Sequence, residues 1–424
     1  MPRTKPPDPR PATAAHPVVA PPPASTPSPT VDAARSACAP SPTAIAVFGL
    51  LGLAAAIGIG RFAFTPLLPL MQAEGLGLRE GAWLASANYL GYFAGALAAT
   101  VAPPALHRAI RGGLALVVAS TVAMAFADGL LPWLLLRFAA GVASAYVMVG
   151  ISAWSLGRLA AAGRLHLSGW VYAGVGAGII VAGLFALAIA AGGFGHAAGW
   201  VALGGLAALV LGTGWAVWRP MAQEAPRAGA TTAPGRVFDA AEWSLLAAFG
   251  GFGFGYILPA TFIPAAARAL VADPLVFGWA WPVFGLAAAL STIALVLCRE
   301  RISARALAIA SLVVMAAGVV VPAIWHGIAA IVVSALYVGG TFMVMTLAGL
   351  QEARRIAVGS PARLIAAMTA AFAIGQLLGP LLVGAGPSAS AAFRTPGLLA
   401  AAVLLASAAL LAWGPARAPV SQSA

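Results

Sequence analysis

The sequence predicts an all-α polytopic membrane protein, with twelve transmembrane helices arranged as two six-helix repeats. Three observations carry that fold class. Of 424 residues, 61% are hydrophobic and only 8% charged, and the mean hydropathy is +0.95. A soluble domain carries about 25% charged residues, so water is not the main solvent of this surface. Apolar runs recur between Ala44 and Gly414 at a spacing that suits helices of ~20 residues joined by short loops. Basic residues concentrate in alternate connections between the successive runs, and so on one side, which is how Lys and Arg mark membrane topology.

The first 43 residues hold 13 of the 32 prolines and no apolar run long enough to span. They read as a disordered cytoplasmic tail, because so little apolar surface cannot offset ordering entropy. Neither a signal peptide nor a lipid-attachment site at Cys38 fits, since no short apolar core precedes that residue. Spans are expected at 44–69, 82–101, 113–130, 132–154, 168–191 and 197–218, forming an N-terminal bundle over 44–218. A polar linker rich in Pro and Thr fills 219–242. Further spans follow at 243–265, 276–297, 304–323, 327–350, 362–386 and 395–414, forming a second bundle over 243–414, with a short cytoplasmic tail at 415–424.

With the N-terminus inside, 18 of the 23 Lys and Arg fall on the cytoplasmic side, from Arg3 and Lys5 through Arg108, Arg158, Arg305 and Arg354 to Arg417. Three fall outside, Arg79, Arg268 and Arg394, and two lie within spans, Arg61 and Arg137. That bias places both termini in the cytoplasm and demands an even number of spans. Internal similarity supports a duplication. Gly58-Ile59-Gly60 and Pro66 match Gly251-Phe252-Gly253 and Pro259 at an offset of 193; the stretches beginning at Ala145 and Thr341 match at 196, as do Gly183 and Gly379. Parallel repeats of this kind build secondary transporters with a site at the bilayer midplane.

The run from Gly58 through Arg61, Pro66 and Pro69 to Gln72, followed by Gly81-Ala82-Trp83-Leu84-Ala85-Ser86-Ala87-Asn88-Tyr89-Leu90-Gly91-Tyr92, closely resembles the opening of YbfB/YjiJ-type carriers of the major facilitator superfamily. Arg137 with Gly141 is similar to the superfamily's span-4 arginine motif, and Gly375-Gln376-Leu377-Leu378-Gly379-Pro380 to its span-11 glycine-proline motif. The loop after span 2 departs from the pattern: it has His107, Arg108, Arg111 and Gly112 but no Asp. The resemblance implies alternating access by rocking of two six-helix halves, and leaves the cargo open.

An ionisable group at bilayer depth is costly unless it faces a cavity or a partner, which makes Arg61 and Arg137 the most informative residues. Both fall at a similar depth and could clamp a carboxylate with paired guanidinium donors. The plainer alternative for each is a bond to backbone carbonyls freed by nearby Gly and Pro, or a side chain that snorkels outward to the interface. Asn88, Tyr89, Tyr92, Tyr146, Tyr256, Tyr337 and Gln376 are intramembrane polar candidates for a substrate path, with interhelical hydrogen bonds as the alternative. Gly58, Gly60, Pro66, Pro69, Gly253 and Pro259 mark spans 1 and 7 as gating helices. Trp83, Trp133, Trp200, Trp243 and Trp413 read as interfacial anchors.

No carboxylate falls in mid-span, and Asp128, Glu74, Asp273, Glu300 and Glu352 all sit at span ends or in loops. A coupling proton would then titrate a terminal acid, an interfacial histidine such as His166 or His326, or the cargo itself. Two cysteines, Cys38 and Cys298, exclude a disulfide framework and a cysteine zinc site. No metalloprotease, nucleophile-elbow or phosphate-loop constellation is present, so no enzyme activity, cofactor, metal or nucleic-acid partner is expected. The function expected is secondary active transport of a small organic solute, an anion by preference, across the bacterial inner membrane by a monomer. Export of apolar or drug-like compounds is the alternative, and a non-transporting sensor a more distant one.

Overall fold

In the computed structural model, the described residues are 40–415 except 102–103, 219–236, 272, 274–275, 277, 298–301, 326, 359–360 and 382–388. Cys38, Cys298, Glu300, His326 and Arg417, the tail over 1–39, most of the linker and the end of the C-terminal tail therefore lie outside them. All regular structure is helical, in thirteen α-helices among the described residues. They are α1 (Pro42–Leu53), α2 (Phe64–Ala73), α3 (Leu78–Val101), α4 (Leu106–Ala123), α5 (Leu130–Ala161), α6 (Ser168–Ala191), α7 (His196–Gly214), α8 (Ala240–Leu270), α9 (Ala280–Leu297), α10 (Ala304–Ile324), α11 (Ile328–Ile356), α12 (Pro361–Leu381) and α13 (Ala389–Trp413). The protein is a multi-pass membrane protein: eight helical segments are long and apolar enough to cross a bilayer, with α1 through α2 counting as one of them.

Both numbers differ from the twelve expected: the broken first span adds a helix, while polar or short apolar stretches in α3, α4, α9 and α12 keep four expected spans out of the eight. The first expected span is broken into α1 and α2 by a π-helical segment, Ala54–Ile59, and a turn through Gly60–Ala63. The start of α4 is polar, carrying His107, Arg108 and Arg111, and α3 carries Arg79, Glu80, Asn88, Tyr89 and Tyr92. In α9 and α12 the apolar stretch is shorter, Ala280–Leu295 and Arg363–Gly379.

Helix ends also depart from the apolar runs, because capping chemistry rather than hydropathy sets them. Ser41 caps α1 by accepting from Ala44 N at 3.2 Å, with Pro42 in the first turn where its missing N–H costs nothing. Asp239 and Glu242 form a reciprocal capping box, so α8 begins at Ala240, within the stretch expected to be linker. At their other ends, α5 and α11 continue past the expected limits through Arg158 and through Arg354 and Arg355, basic residues that suit a helix C-terminus.

Two sets of helices meet. Within α1–α7, α5 packs on α3 and α4, and α6 packs on α1. Within α8–α13, α8 packs on α12, α13 and α11, and α11 on α9 and α10. The sets touch along α6 and α9, α3 and α12, and α2 and α8. Glycine allows the closest approaches. A Cβ on Gly91 would fall 2.0 Å from Phe138 O, and one on Gly178 would fall 2.3 Å from Ala54 O. Without hydrophobic drive between helices in lipid, such close van der Waals contact is what holds them together.

Candidate functional site

The break in the first span organises the site. From Ala54 the chain widens to i→i−5 bonding: Gly60 N donates to Ala55 O at 2.9 Å, and Phe62 N to Ile57 O at 3.1 Å. Pro66 then withholds the donor that would have closed a helical turn on Phe62 O, and Thr65 N turns to that carbonyl at 3.2 Å. Ala56 O and Arg61 O are thereby left without their ordinary helical donors. Buried carbonyls must find partners, and here α5 supplies them. Ser144 Oγ lies 2.7 Å from Ala56 O and also 2.7 Å from Ala140 O, while Arg137 donates to Gly60 O at 3.2 Å and to Arg61 O at 2.8 Å. Arg137, 2% exposed, also lies under Phe64 and near Trp200, at 5.1 and 5.9 Å from the ring centroids. This arrangement corresponds to the plainer alternative for Arg137, a brace on freed backbone.

Arg61 is held differently. It is 4% exposed, and its guanidinium donates to Gln376 Oε1 on α12, so this bond crosses between the two sets of helices. Gln376 Nε2 donates in turn to Tyr256 OH at 2.7 Å. The guanidinium carbon lies 4.3 Å from the Tyr92 ring centroid, 5.2 Å from that of Tyr89 and 5.4 Å from that of Phe62, distances at which a cation is attracted to the ring. Neither Arg61 nor Arg137 forms an ion pair with any described residue, and the Nε of each has no hydrogen-bond partner.

Further bonds cross the same boundary. Tyr89 OH lies 2.7 Å from Thr261 Oγ1; because Thr261 directs its own proton to Ile257 O at 2.7 Å, the tyrosine is the donor. Thr65 Oγ1 donates to Ala260 O at 3.3 Å, a carbonyl that Pro264 leaves without its helical donor. Arg268 donates to Pro69 O. An aromatic cluster continues from the break: Phe62 lies 6.0 Å from Trp281 and 6.4 Å from Phe342, and Tyr256 stacks near-parallel between Phe342 and Phe372 at 5.6 and 5.5 Å. The Trp281 indole N–H is buried without an acceptor.

Of the expected site residues, Arg61, Tyr89, Tyr92, Tyr256 and Gln376 come together in this network. Asn88 is fully buried and donates to Arg137 O at 2.9 Å, so it belongs to the α3–α5 contact. Tyr146 is half-buried and makes no hydrogen bond with another described residue. Tyr337 is 43% exposed, with its Cβ close to Gly318 of α10, and makes no hydrogen bond or ring contact with the described members of the cluster. Among the gating candidates, Gly58 meets Gly178 of α6, Gly60 lies against Ser144, Gly253 faces Phe372 O, Pro66 and Pro69 are buried in α2, and Pro259 is half-buried in α8. Trp200, expected as an interfacial anchor, is instead fully packed beside Arg137. Trp83, Trp243 and Trp413 are exposed as anchors should be.

Several members of the network had only faint sequence signals. Thr65, Ser144 and Thr261 are single hydroxyls in apolar runs, though Thr65 adjoins Pro66 and Thr261 lies between Pro259 and Pro264. His196 carries no motif signal; its Nε2 pairs with Glu74 at 3.3 Å while Glu74 accepts from His196 N at 2.9 Å, tying the end of α2 to the start of α7. No group of metal-ligating side chains is present among the described residues.

A family model described as the uncharacterised MFS-type transporter YbfB matches residues 53–412. No curated protein matches the chain.

Proposed function

The chain belongs to the YbfB family of MFS-type transporters, and from that premise we propose that it is a secondary carrier of a small organic anion, working by alternating access between two six-helix repeats. On this reading the broken length from α1 through α2 is one span, and α3 to α13 supply eleven more. Both termini lie in the cytoplasm of a bacterium whose inner membrane holds the protein. The repeat is supported by packing as well as sequence. Gly178 meets Ala54 O and Gly375 meets Gly250 O, with carbonyls 196 residues apart (54 and 250). Gly141 meets Asn88 O and Gly339 meets Phe284 O, again 196 apart (88 and 284).

The observation that carries the anion preference is Arg61. A guanidinium sealed among apolar and aromatic side chains, bonded across the boundary to a neutral amide and facing no carboxylate, has unspent capacity for a negative charge. When the two sets part, Gln376 withdraws, and a cargo carboxylate takes its place on the same donors. Arg137 braces the backbone that presents Arg61. A cationic cargo would need an acid deep in the spans, and among the described residues the buried acids Glu242 and Glu352 lie at helix ends.

Counterflow in proteoliposomes containing the full chain tests the proposal. Exchange of an external labelled organic anion for the same anion inside, lost in Arg61→Gln and retained for neutral competitors in neither direction, is the expected result. Exchange of an apolar or cationic compound that Arg61→Gln leaves untouched would replace this reading with export of apolar solutes. The aromatic cluster gives that second reading its one specific support.

A further inference from the structure

Resting on the reading of Arg61 as an anion site, we infer that the cargo is a carboxylate carried on a flat aromatic ring. Three features of the boundary point the same way. First, the cation is surrounded by ring faces: those of Tyr92, Tyr89 and Phe62 all lie within 5.4 Å of the Arg61 guanidinium. An aliphatic carboxylate gains only apolar burial from such a lining, whereas an aromatic acid brings its charge to the cation and adds ring-to-ring contact.

Second, the aromatic cluster is divided by the boundary. Phe62 comes from the break beside Arg61 in the first set, while its neighbours Trp281 and Phe342 come from α9 and α11 in the second. Parting of the sets removes Phe62 from those partners and leaves ring faces and edges on both walls without a neighbour. Aromatic pairs prefer offset or edge-to-face geometry, so a flat ring entering the gap replaces what was lost, and a puckered saturated ring does not. Third, donors near the gap are unspent. Arg61 Nε and Trp281 Nε1 are both buried without an acceptor, so a cargo oxygen entering the gap would find two donors ready for it. In the closed arrangement Tyr256, sandwiched between Phe342 and Phe372 and joined through Gln376 to Arg61, links ring wall to cation.

The test uses purified full-length protein in lipid nanodiscs and calorimetric titration with benzoate, cyclohexanecarboxylate and benzamide, which share carbon skeleton size but differ in flatness or charge. Benzoate is expected to bind about tenfold more tightly than cyclohexanecarboxylate, from ring contacts alone, and about tenfold or more tightly than benzamide, from the charge. Phe62→Leu, which keeps Arg61, should bring benzoate down to the level of cyclohexanecarboxylate while leaving the latter unchanged.

If cyclohexanecarboxylate matches benzoate and benzamide stays weak, the aromatic inference is overturned while the anion reading stands. If benzamide matches benzoate, the anion reading itself fails. Absence of saturable binding at millimolar concentration for benzoate, phenylacetate and cinnamate alike also overturns the inference.

Discussion

Replacing Arg137 by methionine, which keeps an unbranched apolar stem, removes two buried donors at once. The lost bonds run to Gly60 O at 3.2 Å and Arg61 O at 2.8 Å, and both carbonyls lie in the broken stretch where the helix cannot satisfy them. An interhelical hydrogen bond in a membrane protein is worth about 0.6 kcal/mol on average and up to ~1.7 kcal/mol, so the pair contributes about 1–3 kcal/mol. Removal of a desolvated cation returns part of its burial cost, which places the net loss nearer the lower figure. Ser144→Ala removes one neutral bond to the same stretch, worth about 0.6 kcal/mol. Equilibrium unfolding of the purified full chain in mixed micelles, followed by far-UV circular dichroism, reads both values. Because both side chains brace one segment, the double variant should lose less than the sum of the single losses. Arg137→Lys should fall between wild type and methionine, since an ammonium lacks the planar fork that reaches two successive carbonyls. An Arg137→Met protein as stable as wild type, or strict additivity with Ser144→Ala, would refute the idea that this arginine braces the break.

Glycine at a close helix crossing and glycine in the open should respond in opposite ways to the same change. Gly91→Ala puts a methyl 2.0 Å from Phe138 O and should destabilise by about 1–3 kcal/mol, whereas Gly112→Ala, in open space at an exposed position of α4, should stabilise by up to ~1 kcal/mol; micelle unfolding compares them. Tyr89→Phe and Thr261→Val each remove the same boundary bond, so each should raise the labelling rate of a cysteine placed at Thr65, and the double variant should raise it no further than either alone. Glu242→Ala removes one arm of the α8 capping box and a bond accepted from Val358 N at 3.2 Å; a loss of about 1 kcal/mol in the unfolding assay is expected. Reporter tags at the two ends of the chain should give the same sidedness in spheroplasts, and opposite sidedness would overturn the assignment of both termini to the cytoplasm.

Capping residues in the sequence mark helix starts that hydropathy does not. Asp239-x-x-Glu242 is a capping signature standing directly before an apolar run, and it places the start of α8 more accurately than hydropathy does. Ser41-Pro42 does the same for α1. The break in the first span was legible as Gly58, Gly60, Pro66 and Pro69, but not its form: i→i−5 bonding depends on whether a neighbouring helix can take up the freed carbonyls, and Ser144 and Arg137 lie more than 70 residues away. Trp200 shows the limit of end-of-span rules, because its position near a helix terminus says nothing of the neighbour that buries it.

By itself the amino-acid order determined that the chain lives in lipid, that its spans are helical, and that two arginines lie where charge is expensive. Those properties follow from local composition, since oil leaves an isolated backbone no alternative to helix and prices each cation at its own position. Only the tertiary structure decided what each arginine does. Arg137 spends its donors on carbonyls of the broken first span, while Arg61 reaches across to Gln376 and remains without a counter-charge. The same residue type at similar depth takes two roles because the role is set by which acceptors the packing of distant helices brings within about 3 Å, and that distance is not written in any local run of residues.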